Sequence, residues 1–138
     1  MRRLGAEADY PQLSTVRVLV VDDVDEIREV LVEILERHGA MVLTAGTAEE
    51  ALELLQEWRP DVLVSDLGIR GKDGYWLIAQ VRALPVERGG ETPAAALTTL
   101  SGPEDRARVL RAGFQYHLSK PVDLRILAGV VAILALKR

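Results

Sequence analysis

The chain of 138 residues contains no cysteine, which excludes a disulfide framework, a thiolate metal site and a thiol nucleophile and fits a reducing cytoplasm. A basic surface is also missing, because 17 Lys and Arg are outnumbered by 21 Asp and Glu. With a net charge of −4, we predict no direct binding of nucleic acid. The longest uncharged apolar stretch, Ile126–Leu136, is shorter than the roughly 20 residues of a membrane span, so no membrane insertion is predicted.

Length and composition predict one domain behind a short extension. A chain of 138 residues with 49% hydrophobic content has the size of one domain with one core. Met1–Ser14 begins with two arginines but then carries acidic residues, a proline and no apolar core, so it does not resemble a secretory signal. We predict that residues 1–14 are a flexible extension or linker and that residues 15–138 form the domain.

Beyond Ser14, short apolar runs alternate with longer segments of helical period, which is the pattern of repeated strand–helix units. Because parallel strands joined by helices need right-handed crossovers, five such units predict an α/β fold, a doubly wound five-stranded parallel sheet with helices on both faces. The predicted strands are Val16–Val21, Met41–Ala45, Val62–Ser65, Ala94–Thr98 and Gln115–Leu118. The first four predicted helices begin near Asp25, Thr47, Gly74 and Pro103, and the last one precedes the C-terminus.

Polar residues follow four of the predicted strands, namely Asp22 and Asp23, Asp66, Thr98 and Lys120. Ligands of such sheets bind beyond the carboxyl ends of the strands, so we expect these side chains to share one site. Three crowded carboxylates repel unless a cation lies among them, and a nearby amine and hydroxyl suit a phosphoryl group. Taken singly, plainer interpretations hold: the two adjacent aspartates as helix caps, the threonine as a strand residue, the lysine as a solvated cation. Their joint occurrence favours the shared site.

Six short segments together carry a family resemblance. They are VLVVDD at Val18–Asp23, VLVSD at Val62–Asp66, DGY at Asp73–Tyr75, ALTT at Ala96–Thr99, AGF at Ala112–Phe114 and LSKPV at Leu118–Val122. With them, the chain resembles the receiver domains of response regulators in two-component phosphorelays over about residues 15–138. The resemblance implies a flavodoxin-like fold with strand order 2-1-3-4-5, and the run after Asp66 is most similar to receivers of hybrid histidine kinases. Since no output domain follows the last helix in this sequence, we expect either a single-domain regulator or, as the favoured case, the receiver segment of a hybrid histidine kinase.

By this resemblance, Asp66 is the phosphoacceptor, which takes a phosphoryl group from a histidine kinase or a histidine phosphotransfer domain. The resemblance also implies a magnesium ion, which prefers oxygen ligands. Its implied ligands are Asp22, Asp23, Asp66 and the backbone carbonyl of Gly68. Lys120 would pair with one phosphoryl oxygen, and Thr98 would donate its hydroxyl to another. The Lys120–Pro121 peptide bond resembles the cis bond of the family.

The predicted switch departs from the family pattern. In the family, an aromatic residue on the fifth strand often changes position when the residue that matches Thr98 moves toward the phosphorylated aspartate. His117 occupies the matching position here. Tyr116 precedes it and should point to the opposite side of the strand. The aromatic relay is therefore altered in this chain.

Other departures concern rates. Arg70 stands where the family commonly has proline, so the loop should be less rigid, and Thr99 stands where a small residue is usual, which predicts slower phosphorylation. Gly68 and Leu100 occupy the two family positions that tune hydrolysis, and neither can orient an attacking water. We therefore predict a long-lived phosphoaspartate.

The last helix carries two apolar stripes where one domain needs only one. Leu124, Leu127, Val131 and Leu134 are predicted to face the sheet, and Ile126, Val130 and Ile133 form the second stripe. An exposed stripe of this kind marks a partner surface, so we predict a homodimer or docking contact through this helix.

Alternative functions follow from the same residues. A magnesium-dependent phosphohydrolase would also use an aspartyl phosphate, but it needs a second acid where Gly68 stands. A receiver-like binding module that works without phosphorylation would need no intact site, whereas no acid, hydroxyl or lysine is missing here. A nucleotide-binding domain lacks support, because neither GxGxxG nor GxxxxGK occurs. The favoured prediction is a cytoplasmic signalling domain that catalyses only its own phosphorylation and dephosphorylation.

Overall fold

The computed structural model describes residues 12–137, in which strands and helices alternate. A short 3₁₀ turn, Val86–Arg88, lies in the segment before the fourth strand. The elements are β1 (Arg17–Val21), α1 (Asp25–Arg37), β2 (Met41–Ala45), α2 (Ala48–Trp58), β3 (Val62–Asp66), α3 (Gly74–Arg82), β4 (Ala94–Thr98), α4 (Pro103–Ala112), β5 (Tyr116–Ser119) and α5 (Leu124–Ala135). Each predicted strand is present, with its ends shifted by at most one residue.

The sheet is parallel throughout, and its order β2-β1-β3-β4-β5 confirms the predicted topology. The inner strands β3 and β4 are buried at every position. Apart from Asp66 at the end of β3, their residues are aliphatic or small, because helices cover both faces. The edge strand β2 is more open, with Met41 57% exposed.

Two core clusters lie on the two faces of the sheet. Successive side chains of β1 alternate between them, with Val18 and Val20 in the first cluster and Leu19 and Val21 in the second. The first cluster is completed by α1 and α5, and the second by α2, α3 and α4. The sheet is therefore held rigidly from both sides, which fixes the strand ends where the polar residues lie.

Local sequence signals end and start the helices as expected. Thr47 caps α2 by accepting a hydrogen bond from the Glu50 N–H at 3.1 Å. Glu50 in turn accepts from the Gly46 N–H at 2.9 Å. Gly39 has a φ of +103°, a conformation that favours glycine, directly after α1 and its C-cap.

The last helix differs from the prediction at one residue. Leu127, Val131 and Leu134 are buried as predicted, but Val130 is only 7% exposed and packs in the first core cluster. The helices α1 and α5 are in contact, and Val130 shares the first core cluster with Leu31 and Leu35 of α1. The exposed apolar residues of the helix and its end are Ile126, Ile133 and Leu136.

The N-terminal extension predicted at residues 1–14 lies mostly outside the described residues. Leu13, however, is fully buried in the first core cluster, and its N–H donates to the His38 carbonyl at 2.8 Å. The packed domain therefore includes Leu13. No helix within residues 12–137 is long and apolar enough to span a membrane.

Candidate functional site

The polar residues predicted to converge lie at the carboxyl edge of the sheet. Asp66 and Thr98 end β3 and β4, while Asp22 and Lys120 directly follow β1 and β5. One oxygen of each of Asp22, Asp23 and Asp66 lies within 4.8 Å of the others. Neighbouring buried strands thus place three carboxylates in one cluster.

Asp22 is the most buried acid of the cluster, with no exposed surface. Its Oδ1 accepts a hydrogen bond from the Val24 N–H at 3.0 Å, whereas its buried Oδ2 has no hydrogen-bond partner among residues 12–137. Burial raises the pKa of the Asp22 carboxyl above its ordinary value, and the negative charges of Asp66 and Asp23 add to the rise. The helix-cap interpretation is wrong for this residue, because the N-cap of α1 is Val24 and no side chain caps it.

Lys120 supplies positive charge on one side of the cluster. Its Nζ lies 3.0 Å from Asp66 Oδ1 and 3.7 Å from Asp22 Oδ2. The peptide bond between Lys120 and Pro121 is cis, and the Lys120 N–H donates to the Thr98 carbonyl at 2.9 Å. The lysine is therefore anchored to β4 and reaches the carboxylate at the end of β3.

Arg70 supplies a second positive charge to the cluster, at Asp23. Its backbone N–H and its Nε both donate to Asp23 Oδ2, each at 3.0 Å. These contacts lower the pKa of the Asp23 carboxyl, the backbone hydrogen bond contributing most. The sequence marked Arg70 as a departure in the loop after β3 but did not indicate this contact, which joins residues 47 positions apart.

Thr98 and His117 both contact the loop between β4 and α4. Thr98 Oγ1 accepts from the Leu100 N–H at 3.1 Å, and His117 Nε2 lies 2.8 Å from the Leu100 carbonyl oxygen. Tyr116 packs against the first core cluster, on the other face of β5. The histidine thus connects β5 to the loop that follows the threonine.

Two clefts flank the cluster. One, of about 260 Å³, lies between the loop after β3 and α4 and includes Gly68, Thr98 and Thr99 in its lining. The other, of about 430 Å³, lies between α1 and the segment after β5 and also reaches Thr99 and Lys120. Thr99 is exposed and lines both clefts, so it lies at the rim between them.

The donor set of the cluster suits a small divalent cation. Mg²⁺ takes oxygen ligands, retains several waters and is commonly bound through one or two carboxylates. The buried Asp22 Oδ2 without a hydrogen-bond partner is the kind of oxygen that a hydrated cation satisfies. Asp22, Asp23 and Asp66 therefore fit Mg²⁺, and the exposed Gly68 lies on the same loop as Arg70.

Comparison with known proteins identifies the architecture. Residues 18–132 match the model of the response regulator receiver domain. A protein of 14.6 kDa in the sodA1 3′ region of Leptolyngbya boryana, itself uncharacterized, is 46% identical over 80% of this chain and 83% of its own length. The crystal structure of the signal receiver domain of a signal transduction histidine kinase from Syntrophus aciditrophicus has a TM-score of 0.79 and 32% identity, covering 89% of this chain and 92% of that one.

Other relatives are longer proteins. The transcriptional regulatory protein AfsQ1 of Streptomyces coelicolor is 35% identical over 85% of this chain, which spans 50% of its length. A hybrid signal transduction histidine kinase of Dictyostelium discoideum and a sensor histidine kinase of Salmonella typhimurium also match, and the chain spans 9% and 12% of their lengths. The family match over most of the chain, the 2-1-3-4-5 sheet and the acidic cluster at its carboxyl edge lead to one conclusion. This chain belongs to the response regulator receiver domains of two-component signalling.

Proposed function

We propose that Asp66 is the phosphoacceptor of this receiver domain and that its donor is a phosphohistidine on a histidine kinase or a histidine phosphotransfer domain. Receiver domains interact with such partners. The observation that carries the proposal is the 3.0 Å contact of Asp66 Oδ1 with Lys120 Nζ inside a cluster of three carboxylates. The contact supports the proposal, because the carboxylate that would act as nucleophile lies beside a cation that can neutralise the oxygens of a transferring group.

In the transfer step, an oxygen of Asp66 attacks the phosphorus atom. The new O–P bond forms as the N–P bond breaks, and the electron pair of the N–P bond stays with the imidazole of the partner. Lys120 pairs with an oxygen of the phosphoryl group during this exchange. Because the side chain of Asp66 is only 10% exposed, little water competes as the attacking group.

Receiver domains generally bind Mg²⁺ at an acidic pocket, and Asp22, Asp23, Asp66 and the Gly68 carbonyl would hold it here. The bound ion supplies positive charge that offsets the charge of the phosphoryl oxygens. Asp22 and Asp23 keep their oxygens turned to the cluster through hydrogen bonds from Val24 and Arg70.

Thr98 and His117 form the proposed switch. In the structure, the Thr98 hydroxyl accepts from Leu100 N–H, and His117 holds the Leu100 carbonyl. When Asp66 carries a phosphoryl group, the hydroxyl gains a charged acceptor, which forms a stronger hydrogen bond than the neutral alternative. Reorientation of Thr98 then releases its bond to Leu100, and the loop before α4 shifts against His117.

Two apolar surfaces are proposed to meet partners. The cleft beside Lys120 includes the half-exposed Ile27 and Val30 of α1 in its lining, and an apolar helix of the phosphohistidine partner fits its chemistry. Ile126 and Ile133 of α5, 55% and 44% exposed, are the proposed homodimer contact.

The domain is proposed to act in the cytoplasm, without direct contact to nucleic acid.

The domain is proposed to catalyse only its own phosphorylation and dephosphorylation. A phosphohydrolase with continuous catalytic turnover would need an acidic residue two positions after Asp66, where this chain has Gly68. The bound phosphoryl group is therefore a signal and not an intermediate in turnover.

Intact-protein mass spectrometry after treatment with acetyl phosphate and Mg²⁺ tests the proposal. We expect one added phosphoryl group on the wild type and none on Asp66→Ala or in EDTA. Asp61→Asn is the matched control, because Asp61 precedes the same strand at its opposite end and should leave the modification unchanged. Absence of the added group from the wild type, with Mg²⁺ binding demonstrated, would favour the phosphorylation-independent binding module.

A further inference from the structure

Arg70 contacts the acidic cluster in a way that phosphoryl transfer does not require. It lies four residues after Asp66, and its Nε donates to Asp23 Oδ2 at 3.0 Å. The backbone N–H of the same residue donates to the same oxygen at 3.0 Å. The arginine side chain is 87% exposed, whereas that of Asp23 is 15% exposed. The carboxylate is thus held from the protein side, and the guanidinium covers it from the solvent side.

The charges around the cluster divide into two groups. Lys120 faces Asp66 and Asp22, and in the proposed function it pairs with the phosphoryl group. Arg70 faces Asp23 alone among the three acids of the cluster within residues 12–137. Arg70 therefore neutralises Asp23 but has no role in the proposed phosphoryl transfer, unlike Lys120.

The sign of its effect on a bound divalent cation follows from charge and exposure. A cation held by Asp23 would share this carboxylate with the guanidinium, and the two positive charges repel at such short range. Solvent weakens both effects of this exposed side chain, but the tether acts on the single charge of Asp23, whereas the repulsion acts on a cation with a charge of +2. The backbone N–H of Arg70 would still orient Asp23 if the guanidinium were removed. Repulsion therefore outweighs positioning.

We propose that Arg70 is a built-in counter-ion of Asp23 that competes with Mg²⁺ and so sets the Mg²⁺ concentration at which the domain becomes ready for phosphorylation. This inference rests on the magnesium site of the proposed function. It assigns Arg70 a tuning role at that site, in addition to the ligands.

Isothermal titration calorimetry with MgCl₂ tests the inference without reference to phosphorylation. We expect Arg70→Gln to lower the dissociation constant for Mg²⁺ about three- to tenfold, a change of up to about 1.4 kcal/mol. Arg70→Lys keeps the charge and should stay within about twofold of the wild type. Lys72→Gln is the matched control, since Lys72 is an exposed cation of the same loop whose Nζ lies over the Trp76 ring at 5.4 Å; it should also stay within about twofold.

Salt provides a second measurement that a purely structural role would not affect. At about 1 M KCl the screening length falls to about 3 Å, so the affinities of the wild type and Arg70→Gln should converge. Equal or weaker Mg²⁺ binding by Arg70→Gln at low salt would overturn the inference, as would an equal gain in Lys72→Gln. These results differ from a failure of the proposed function itself, in which the wild type binds no more Mg²⁺ than Asp23→Asn does.

Discussion

Replacement of Asp22 by asparagine should stabilise the folded protein in EDTA. Asp22 is fully buried, and its carboxylate lies within 4.8 Å of oxygens of Asp23 and Asp66. At an effective dielectric constant of about 20, the Asp22 carboxylate is repelled by each of the other two carboxylates by about 3 to 4 kcal/mol. The attraction of Lys120 Nζ, 3.7 Å from Asp22 Oδ2, offsets about 4 kcal/mol of this repulsion. The remaining repulsion opposes the ionised carboxylate. Because asparagine keeps the acceptor for the Val24 N–H, we expect a gain of about 2 kcal/mol in the free energy of unfolding near neutral pH.

The gain should depend on pH in a definite direction. The folded-state pKa of Asp22 is raised above 3.8, its ordinary value, so the folded state holds this proton more tightly than the unfolded state does. The wild type therefore loses stability from this group as pH rises through the interval between 3.8 and the raised pKa. Below this interval the carboxyl is neutral in both states, and the advantage of Asp22→Asn should disappear.

Urea unfolding in EDTA, followed by circular dichroism across this pH range, measures the effect. Glu53→Gln on the exposed side of α2 removes one negative charge far from the cluster and should change stability by less than about 0.5 kcal/mol. Saturating Mg²⁺ should stabilise the wild type more than Asp22→Asn, because a ligand stabilises the state that binds it. An Asp22→Asn protein that is less stable than the wild type in EDTA near neutral pH would refute the electrostatic reasoning, as would a gain that persists unchanged in acid.

Further predictions concern packing, assembly and the lifetime of the modification. Gly74→Ala should lower the free energy of unfolding by about 1 to 3 kcal/mol in urea titrations, because a Cβ there would lie 2.7 Å from the Asp66 carbonyl oxygen; unchanged stability would show that the backbone yields freely. Ile133→Lys should shift the protein toward monomer in analytical ultracentrifugation if α5 is the dimer contact, and a concentration-independent monomer for the phosphorylated wild type would contradict that contact. The phosphoaspartate should outlast many seconds under native conditions, since neither Gly68 nor Leu100 can orient water; its loss within seconds by time-resolved mass spectrometry would contradict this expectation.

Much of the fold could be predicted from the sequence because the signals were local. The apolar runs of β1 and β3 indicated strands covered on both faces, and Thr47 marked the start of α2. The convergence of Asp22 and Asp66 followed from the rule that parallel strands share a carboxyl edge. These inferences need only strand direction and topology, which the sequence pattern contains.

The remaining features depend on long-range packing that no local pattern encodes. Val130 was expected on an exposed stripe, but its burial depends on how close α1 lies to α5. The contact between Arg70 and Asp23 joins two loops whose separation is set by the sheet. The hydrogen bond from His117 to the Leu100 carbonyl likewise depends on the path of the loop before α4. In each case the residue type was visible in the sequence, whereas its partner was not.

Identification of the modified residue would show whether Asp66 receives the phosphoryl group. The wild type would be phosphorylated with acetyl phosphate and Mg²⁺, reduced with borohydride to convert the acyl phosphate to homoserine, digested, and sequenced by tandem mass spectrometry. We expect homoserine at position 66 and an unmodified peptide around Asp22 and Asp23. Homoserine at another acidic residue, with Asp66 intact, would contradict it.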